Sequence, residues 1–409
     1  MIGVLRNPTY AKLFSAQVIA LLGTGVLTVA LGLLAFDIAG GDAGIVLGVA
    51  MSIKMIAYVA VAPVAAALLA RVRRKPVLIG ADLIRAGVAL SLPLVTEAWQ
   101  IYILIFLLQS ASATFTPTFQ AVIPSVLPDE DDYTRALSLS RLAYDLESLL
   151  SPMIAAALLT VLVYQNLFVG TVIGFMVSAV LVSVSRFPVG EVSAPAPFVE
   201  RLTRGVRVFW TSAELRGLMG LNLVVAATTA MVIVNTVVLV QGDLGRSEAD
   251  VALMLGVYGG GSMLVALLMP KLLETVPDRL VMLFGGIALP VLLLIAPGFM
   301  SWIDGTLQWA ALLVTWVLLG AATSAVLTPS ARLLRRGSTE QNRPAVFAAQ
   351  FSLSHACFLL TYPLAGILGA AIGLPAVSLV LVVIGTVGVV LAVVCWTRPL
   401  GAGRYSEVT

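Results

Sequence analysis

The chain has 409 residues, of which 60% are hydrophobic and only 11% are charged, and its mean hydropathy is +1.04. Soluble domains run about 45–50% apolar and about 25% charged, so this chain has too little charge to cover a water-soluble surface of its size. A polytopic membrane protein is expected. The 7% aromatic content and the scarcity of alternating segments argue against an outer-membrane barrel. Cys357 and Cys395 both lie in late apolar runs, which implies neither a disulfide framework nor a thiolate metal site. The first apolar run is too long for a cleavable signal peptide.

A membrane span needs about 20 apolar residues. In chain order, spans are expected near 10–36, 43–70, 76–96, 100–123, 136–163, 167–185, 215–241, 249–272, 280–302, 308–331, 345–370 and 375–397. The one long polar interval, 186–214, separates six spans from six. The expected organisation is therefore an N-terminal lobe (1–185), a linker (186–214), a C-terminal lobe (215–397) and a tail (398–409). The second half of the linker, Phe198 to Trp210, has the pattern of a basic amphipathic helix on a membrane surface. Orientation follows from the basic residues. With the N-terminus inside, the run Arg71-Val72-Arg73-Arg74-Lys75, the linker arginines, Arg332, Arg335, Arg336 and Arg404 all fall on the cytoplasmic side. The opposite side holds Arg246 alone, so both termini are expected in the cytoplasm of a cell inner membrane protein.

The two halves repeat. DAGIVLGVAMS (42–52) resembles ADVALMLGVYG (249–259), TPTFQAV (116–122) resembles TPSARLL (328–334), and SPMIAAAL aligns with YPLAGILG so that Pro152 meets Pro363. Similar offsets across half the chain indicate a parallel repeat about an axis along the membrane normal. Pro117 and Pro329 are expected to end or bend their helices near the cytoplasm, because proline lacks a donor and clashes with the preceding turn.

Four segments carry a family resemblance. They are FSAQVIALLGTGVLTVALG, with Gln17, Leu22 and Gly23; RRKPVLIGADLIRAG, with Asp82 and Arg85; TFTPTFQAVIPSVLPDEDDYTRALSLSR; and SPMIAAAL. Along essentially its whole length the chain resembles a major facilitator superfamily transporter, and locally the drug:proton antiporter branch that holds macrolide, enterobactin and nickel exporters. The resemblance implies an all-α integral membrane fold of twelve transmembrane helices in two six-helix lobes, working by alternating access. The chain departs from the family pattern in places. Ala66 and Ala70 stand where the loop motif between spans 2 and 3 carries Gly and Asp, leaving the basic run with Arg71, Arg73 and Arg74 as the gating loop. Phe106 stands where many relatives have a helix 4 arginine, and Thr24 where some carry an acidic residue.

Ionisable side chains inside a span are costly and mark function by default. Lys54, Asp145, Glu147 and His355 all fall roughly 14–17 Å into their spans at 1.5 Å per residue. They are the proton-coupling candidates. Asp82 with Arg85, and Arg141 with Asp145, are spaced for ion pairs on one helix face. His355 also fits a core histidine bonded to a backbone carbonyl. Ser140, Tyr144, Glu147 and Ser151 form a stripe separate from Asp145, and an unpaired midplane carboxylate there can exchange a proton. In this superfamily the first, fourth, seventh and tenth spans line the cavity, which makes Gln17, Thr24, Gln109, Asn222 and Asn235 the substrate candidates. The run Gly259-Gly260-Gly261 lacks the Lys-Ser/Thr of a phosphate loop and reads as close helix packing.

No nucleotide-binding motif or enzyme constellation is present, so an ion gradient is the expected energy source. The reading is a non-enzymatic, cofactor-free, monomeric transporter that exports an amphipathic organic solute, drug-like or a siderophore, against protons. Its partners are a small molecule, protons and the lipid bilayer, with no nucleic acid. Alternatives are a divalent-metal exporter (nickel, cobalt or iron), which would favour several His, Asp or Cys ligands; a lysolipid flippase; and a non-transporting membrane sensor.

Overall fold

The computed structural model describes residues 2–39, 43–186 and 197–397; the C-terminal tail (398–409), Gly41 and most of the linker's Pro/Ala-rich stretch lie outside them. The described residues fold into thirteen α-helices: α1 (Pro8–Ala39), α2 (Ala43–Leu68), α3 (Arg74–Ser91), α4 (Ala98–Val126), α5 (Glu130–Leu159), α6 (Gln165–Val184), α7 (Phe198–Thr211), α8 (Ala213–Val237), α9 (Glu248–Thr275), α10 (Asp278–Trp302), α11 (Gly305–Arg336), α12 (Arg343–Ile372) and α13 (Leu374–Thr397). Among the described residues there is no strand. Ten of the helices are long and apolar enough to cross a membrane by length and composition. The other two long helices are α2, whose apolar stretch of fully described residues runs from Ser52 to Leu68, and α5, not all of whose residues are fully described.

Side-chain caps mark the starts of some helices. Asp129 accepts hydrogen bonds from the backbone amides of Asp131 and Asp132 at 3.0 and 2.9 Å. Its carboxylate and the acidic first turn of α5 complement the positive end of the helix dipole. Ser247 and Asp250 bond reciprocally at the start of α9, a capping box.

Packing repeats between the halves. In the first half α1 packs on α5 and α6, α3 on α4 and α6, and α2 on α4. In the second half α8 packs on α12 and α13, α10 on α11 and α13, and α9 on α11. These are the same five pairings with every index raised by seven. Across the halves, α2 meets α12 and α5 meets α9. Glycines permit the closest approaches: Gly23 faces Gly174 between α1 and α6, and Gly220 faces Gly388 between α8 and α13. Gly261 lies against the Val317 carbonyl of α11, so helix packing accounts for that glycine of the Gly259–Gly261 run.

The basic segments gather at one end. Thr9 and Lys12 donate to the Arg186 and Val184 carbonyls, and Lys75 donates to Ser185. Arg279 pairs with Glu214, and Arg336 pairs with Asp278. This common basic end is the one that the charge count placed in the cytoplasm. The halves are also fastened together here. Arg332 of α11 bonds Glu130 of α5 at 2.7 Å, Arg335 donates to the Pro128 carbonyl, and Tyr133 donates to the Ala331 carbonyl at 3.3 Å. Of the expected gating arginines, only Arg74 makes such a link, donating to Ala121 and Glu340 carbonyls at 3.1 and 3.3 Å. Arg71 and Arg73 are exposed.

The expectation that Pro117 and Pro329 end or bend their helices needs correction in its first half: they do not end them, because α4 continues to Val126 and α11 to Arg336. Both prolines are buried, and packed neighbours hold a helix together through the loss of one backbone bond. The amphipathic helix α7 forms as expected, but its buried face is seated on protein: Gly205 lies against the Ala345 carbonyl and Phe209 is 2% exposed.

Candidate functional site

The two faces of α5 point to different neighbours. On one face, Arg141 and Asp145 pair at 2.9 Å. Arg141 also donates to Ser262 of α9 at 2.9 and 3.0 Å, so this ion pair spans the two halves. On the other face, Ser140 donates to Gln17 of α1 at 3.1 Å. Two and three turns further along, Glu147 and Ser151 lie against Gly25, where a side chain would strike both. Glycine is required at that position because the Ser151 side chain, with the Glu147 carboxylate beside it, occupies the space of its missing Cβ.

Lys54 on α2 and Glu147 on α5 stand within Coulombic range of each other, and among the described residues no direct ion pair joins them. The ammonium of Lys54 lies 5.7 Å from the centre of the Tyr58 ring, a cation–π distance. Tyr58 in turn meets His355 of α12 edge-on at 4.8 Å, and Phe351 packs on both. His355 Nδ1 is 2.7 Å from the Phe351 carbonyl. A carbonyl only accepts, so Nδ1 carries the proton of that bond and Nε2 is the nitrogen left for other work. Lys54, Tyr58 and His355 therefore form a file that crosses from the first half to the second, with Glu147 in Coulombic range of its Lys54 end.

At Tyr58 and His355 this file borders a cavity of about 390 Å³. Thr24, Tyr58, Arg85, Arg141, Tyr144, Phe351 and His355 are among its walls, with Gln350, Thr328 and Ser330 from the second half. Aromatic faces beside guanidiniums suit an amphipathic ligand with a polar end. Arg85 is not only structural. It pairs with Asp82, to which Ser178 also donates at 2.7 Å, it is sandwiched between Phe115 and Phe175 at 4.3 and 4.7 Å, and it faces the cavity as well.

The expected substrate residues divide. Thr24 lines this cavity, and Gln17 lines a smaller one beside Arg85 and Tyr144. Gln109 is buried in α4 and lines neither. Asn222 and Asn235 also line neither. Asn222 and Gln350 exchange two 3.0 Å hydrogen bonds, and Asn235 donates to the Ala365 carbonyl at 3.3 Å; both tie α8 to α12. The sequence reading missed Tyr58, Phe351, Ser262 and Gly25. The first two had a visible signal: each lies four residues from a candidate, Lys54 or His355, on the same helix face.

Comparison with known proteins fits this architecture. The chain is 26% identical over 223 residues to macrolide efflux protein A of Streptococcus pyogenes, which covers 53% of this chain and 54% of that protein. It is 28% identical over 175 residues to macrolide efflux protein A of Enterococcus faecalis, covering 41% and 53%. The chain thus spans about half the length of the curated relatives it matches. Among solved structures, a bacterial homologue of the iron transporter ferroportin in its outward-facing state superposes with a TM-score of 0.79, at 13% identity over 95% of this chain and 100% of that one. The human organic anion transporter MFSD10 gives 0.78, at 12% identity over 95% and 99%. The Escherichia coli fucose:proton symporter gives 0.70, at 15% identity over 94% and 98%. At these identities the likeness is one of fold. The model of the Major Facilitator Superfamily matches residues 13–239 and 218–406, and with twelve long helices in two matching halves around a polar cavity, the chain belongs to that superfamily of multi-pass membrane transporters.

Proposed function

We propose that this transporter exports an amphipathic organic solute in exchange for protons, with Glu147 and Lys54 as the coupling pair, Asp145 as the alternative carboxylate and His355 as a relay. One observation carries the reading: the file of Lys54, Tyr58 and His355, with Glu147 in Coulombic range of Lys54, crosses the lobe interface and meets a cavity walled by tyrosines and arginines at Tyr58 and His355. A rocking motion of the halves changes the separation of α2 and α5 from α12 and α9, and so the field at Glu147. A carboxylate whose surroundings alternate between solvated and desolvated binds and releases a proton in step with that motion, with Lys54 of the same half beside it throughout. The aromatic and guanidinium walls favour a solute with a flat apolar body and a polar end. The half-length likeness to macrolide efflux proteins supports export, and it is consistent with a drug-like cargo.

With the basic end in the cytoplasm, the ties of Glu130, Pro128 and Tyr133 to α11 close the cytoplasmic side, which corresponds to an outward-facing state. The test is an efflux panel in cells, run with and without a proton uncoupler and including organic solutes, divalent metals and lysolipids. Uncoupler-sensitive extrusion of organic solutes alone is expected. Extrusion confined to metals or lysolipids, or unaffected by the uncoupler, would contradict the proposal.

A further inference from the structure

A second site lies away from the transport cavity, on the flank of the basic end. A pocket there opens between the ends of α2 and α4, the start of α3, the amphipathic helix α7 and the start of α12. Four arginines line it: Arg73 and Arg74 from the basic run, and Arg201 and Arg204 from α7. No carboxylate lines it, although Glu200 pairs with Arg204 at 3.3 Å. The Nε of Arg201 is buried with no hydrogen-bond partner among the described residues, an arrangement that costs free energy unless an acceptor arrives. The floor is apolar, formed by residues such as Ala62, Ala66 and Ala345.

An open apolar groove of about 390 Å³ continues from this pocket. Leu69, Val72, Val77 and Thr114 line both, so the two spaces are contiguous. From that junction the groove runs away from the basic end along one face of α3, past Pro76, Gly80 and Ile84. Those residues are four apart and span roughly 12 Å. Ile84 and Leu107 on its walls are 52% and 45% exposed, which places the groove on the outer, lipid-facing flank of the first half. A cluster of guanidiniums at the depth of a headgroup, with an apolar channel leading from it toward the membrane interior, matches a molecule with an anionic head and a hydrocarbon tail.

We propose that this pocket and groove bind one anionic phospholipid from the leaflet bordering the basic end, its phosphate among Arg73, Arg201 and Arg204 and one acyl chain along α3. The site bridges both halves through α12 and is independent of the solute and of the coupling ion.

The test is native mass spectrometry of the full chain in mild detergent, with phosphatidylglycerol and phosphatidylcholine of matched acyl chains. Wild type is expected to retain phosphatidylglycerol several-fold better. The double variant Arg201→Gln/Arg204→Gln is expected to lower that preference on the order of tenfold. Gly80→Leu, at a position where an added Cβ meets nothing within 4 Å, fills the groove and is expected to reduce retention of both lipids while the protein stays folded. Glycerol phosphate alone is expected not to displace the lipid. Equal retention of the two lipids by wild type, or an unchanged preference in the arginine variant, would overturn the proposal. So would unchanged retention in Gly80→Leu, or full displacement by glycerol phosphate, which would leave a simple phosphate pocket. If the arginine variant did not fold, the Gly80→Leu arm would still decide.

Discussion

At mid-height the first half carries Lys54, Asp82, Arg85, Arg141, Asp145 and Glu147, whereas the matching helices of the second half carry only His355 among Asp, Glu, Lys, Arg and His side chains. The cores reflect this difference. In the second half one continuous apolar cluster runs from Leu215 to Trp396. The polar ties there are neutral: Asn222 with Gln350, and the Trp316 indole donating to Thr236 at 3.0 Å. The first half has two main clusters, one around Ile101 and Phe168 and another around Tyr10 and Tyr133, with Asp82, Arg85 and Gln17 buried among its helices. A shared packing plan thus holds a half with a neutral middle beside a half with a charged middle. Such charges are expensive in a membrane, and their concentration in one half points to function rather than scaffolding.

The comparison can be broken most easily at its buried charges. Arg85→Met leaves the fully buried carboxylate of Asp82 without its cation and is expected to cost about 3–5 kcal/mol. Asn222→Leu in the second half strands only the amide of Gln350, at about 1–3 kcal/mol. Thermal unfolding in detergent checks both, and equal losses would erase the contrast. The next effect concerns glycines. Gly25→Ala drives a methyl into Ser151 and Glu147, and overpacking of this kind costs about 1–3 kcal/mol. Its efflux rate is expected to fall more than its stability. Gly366→Ala, where the nearest atom is Val234 at an ordinary 3.5 Å, is the second-half control and should be nearly silent in the same assay.

The smallest effect lies at the closed end. Hydrogen bonding to Arg332 holds the Glu130 carboxyl below its ordinary 4.5. A carboxyl depressed by a contact contributes closure above its ordinary value, and that contribution disappears as pH falls through the lowered one. Glu130 is half exposed, so the tie is worth at most about 1 kcal/mol. Spin-label distances across the basic end should show more opening in acid for the wild type, and a smaller acid response for Glu130→Gln.

Much of this organisation was legible in the sequence, for identifiable reasons. Span count, the basic end and the repeat rest on hydropathy, charge asymmetry and internal similarity, which the bilayer enforces along the whole chain. The ion pairs Asp82–Arg85 and Arg141–Asp145 were legible because spacings of three and four fix a helix face. Contacts between distant helices were less so. Asn222 resembled a cavity residue until its partner Gln350, 128 positions away, was in place. Arg332 and Arg335 counted only toward orientation, since nothing local marks Glu130 or Pro128 as their partners. The prolines do not end their helices because packed neighbours hold a helix together where an isolated one would break.

The central claim is that the charged middle of the first half couples protons to transport. Its most direct test uses proteoliposomes holding a solute identified in the efflux panel, with an imposed pH gradient. Wild type should move solute in response to the gradient. Glu147→Gln should lose that response while still exchanging labelled for unlabelled solute at equal pH. If Glu147→Gln and Asp145→Asn, both inserted in normal amounts, each followed the gradient at the wild-type rate, α5 would not carry the proton and the account would fail.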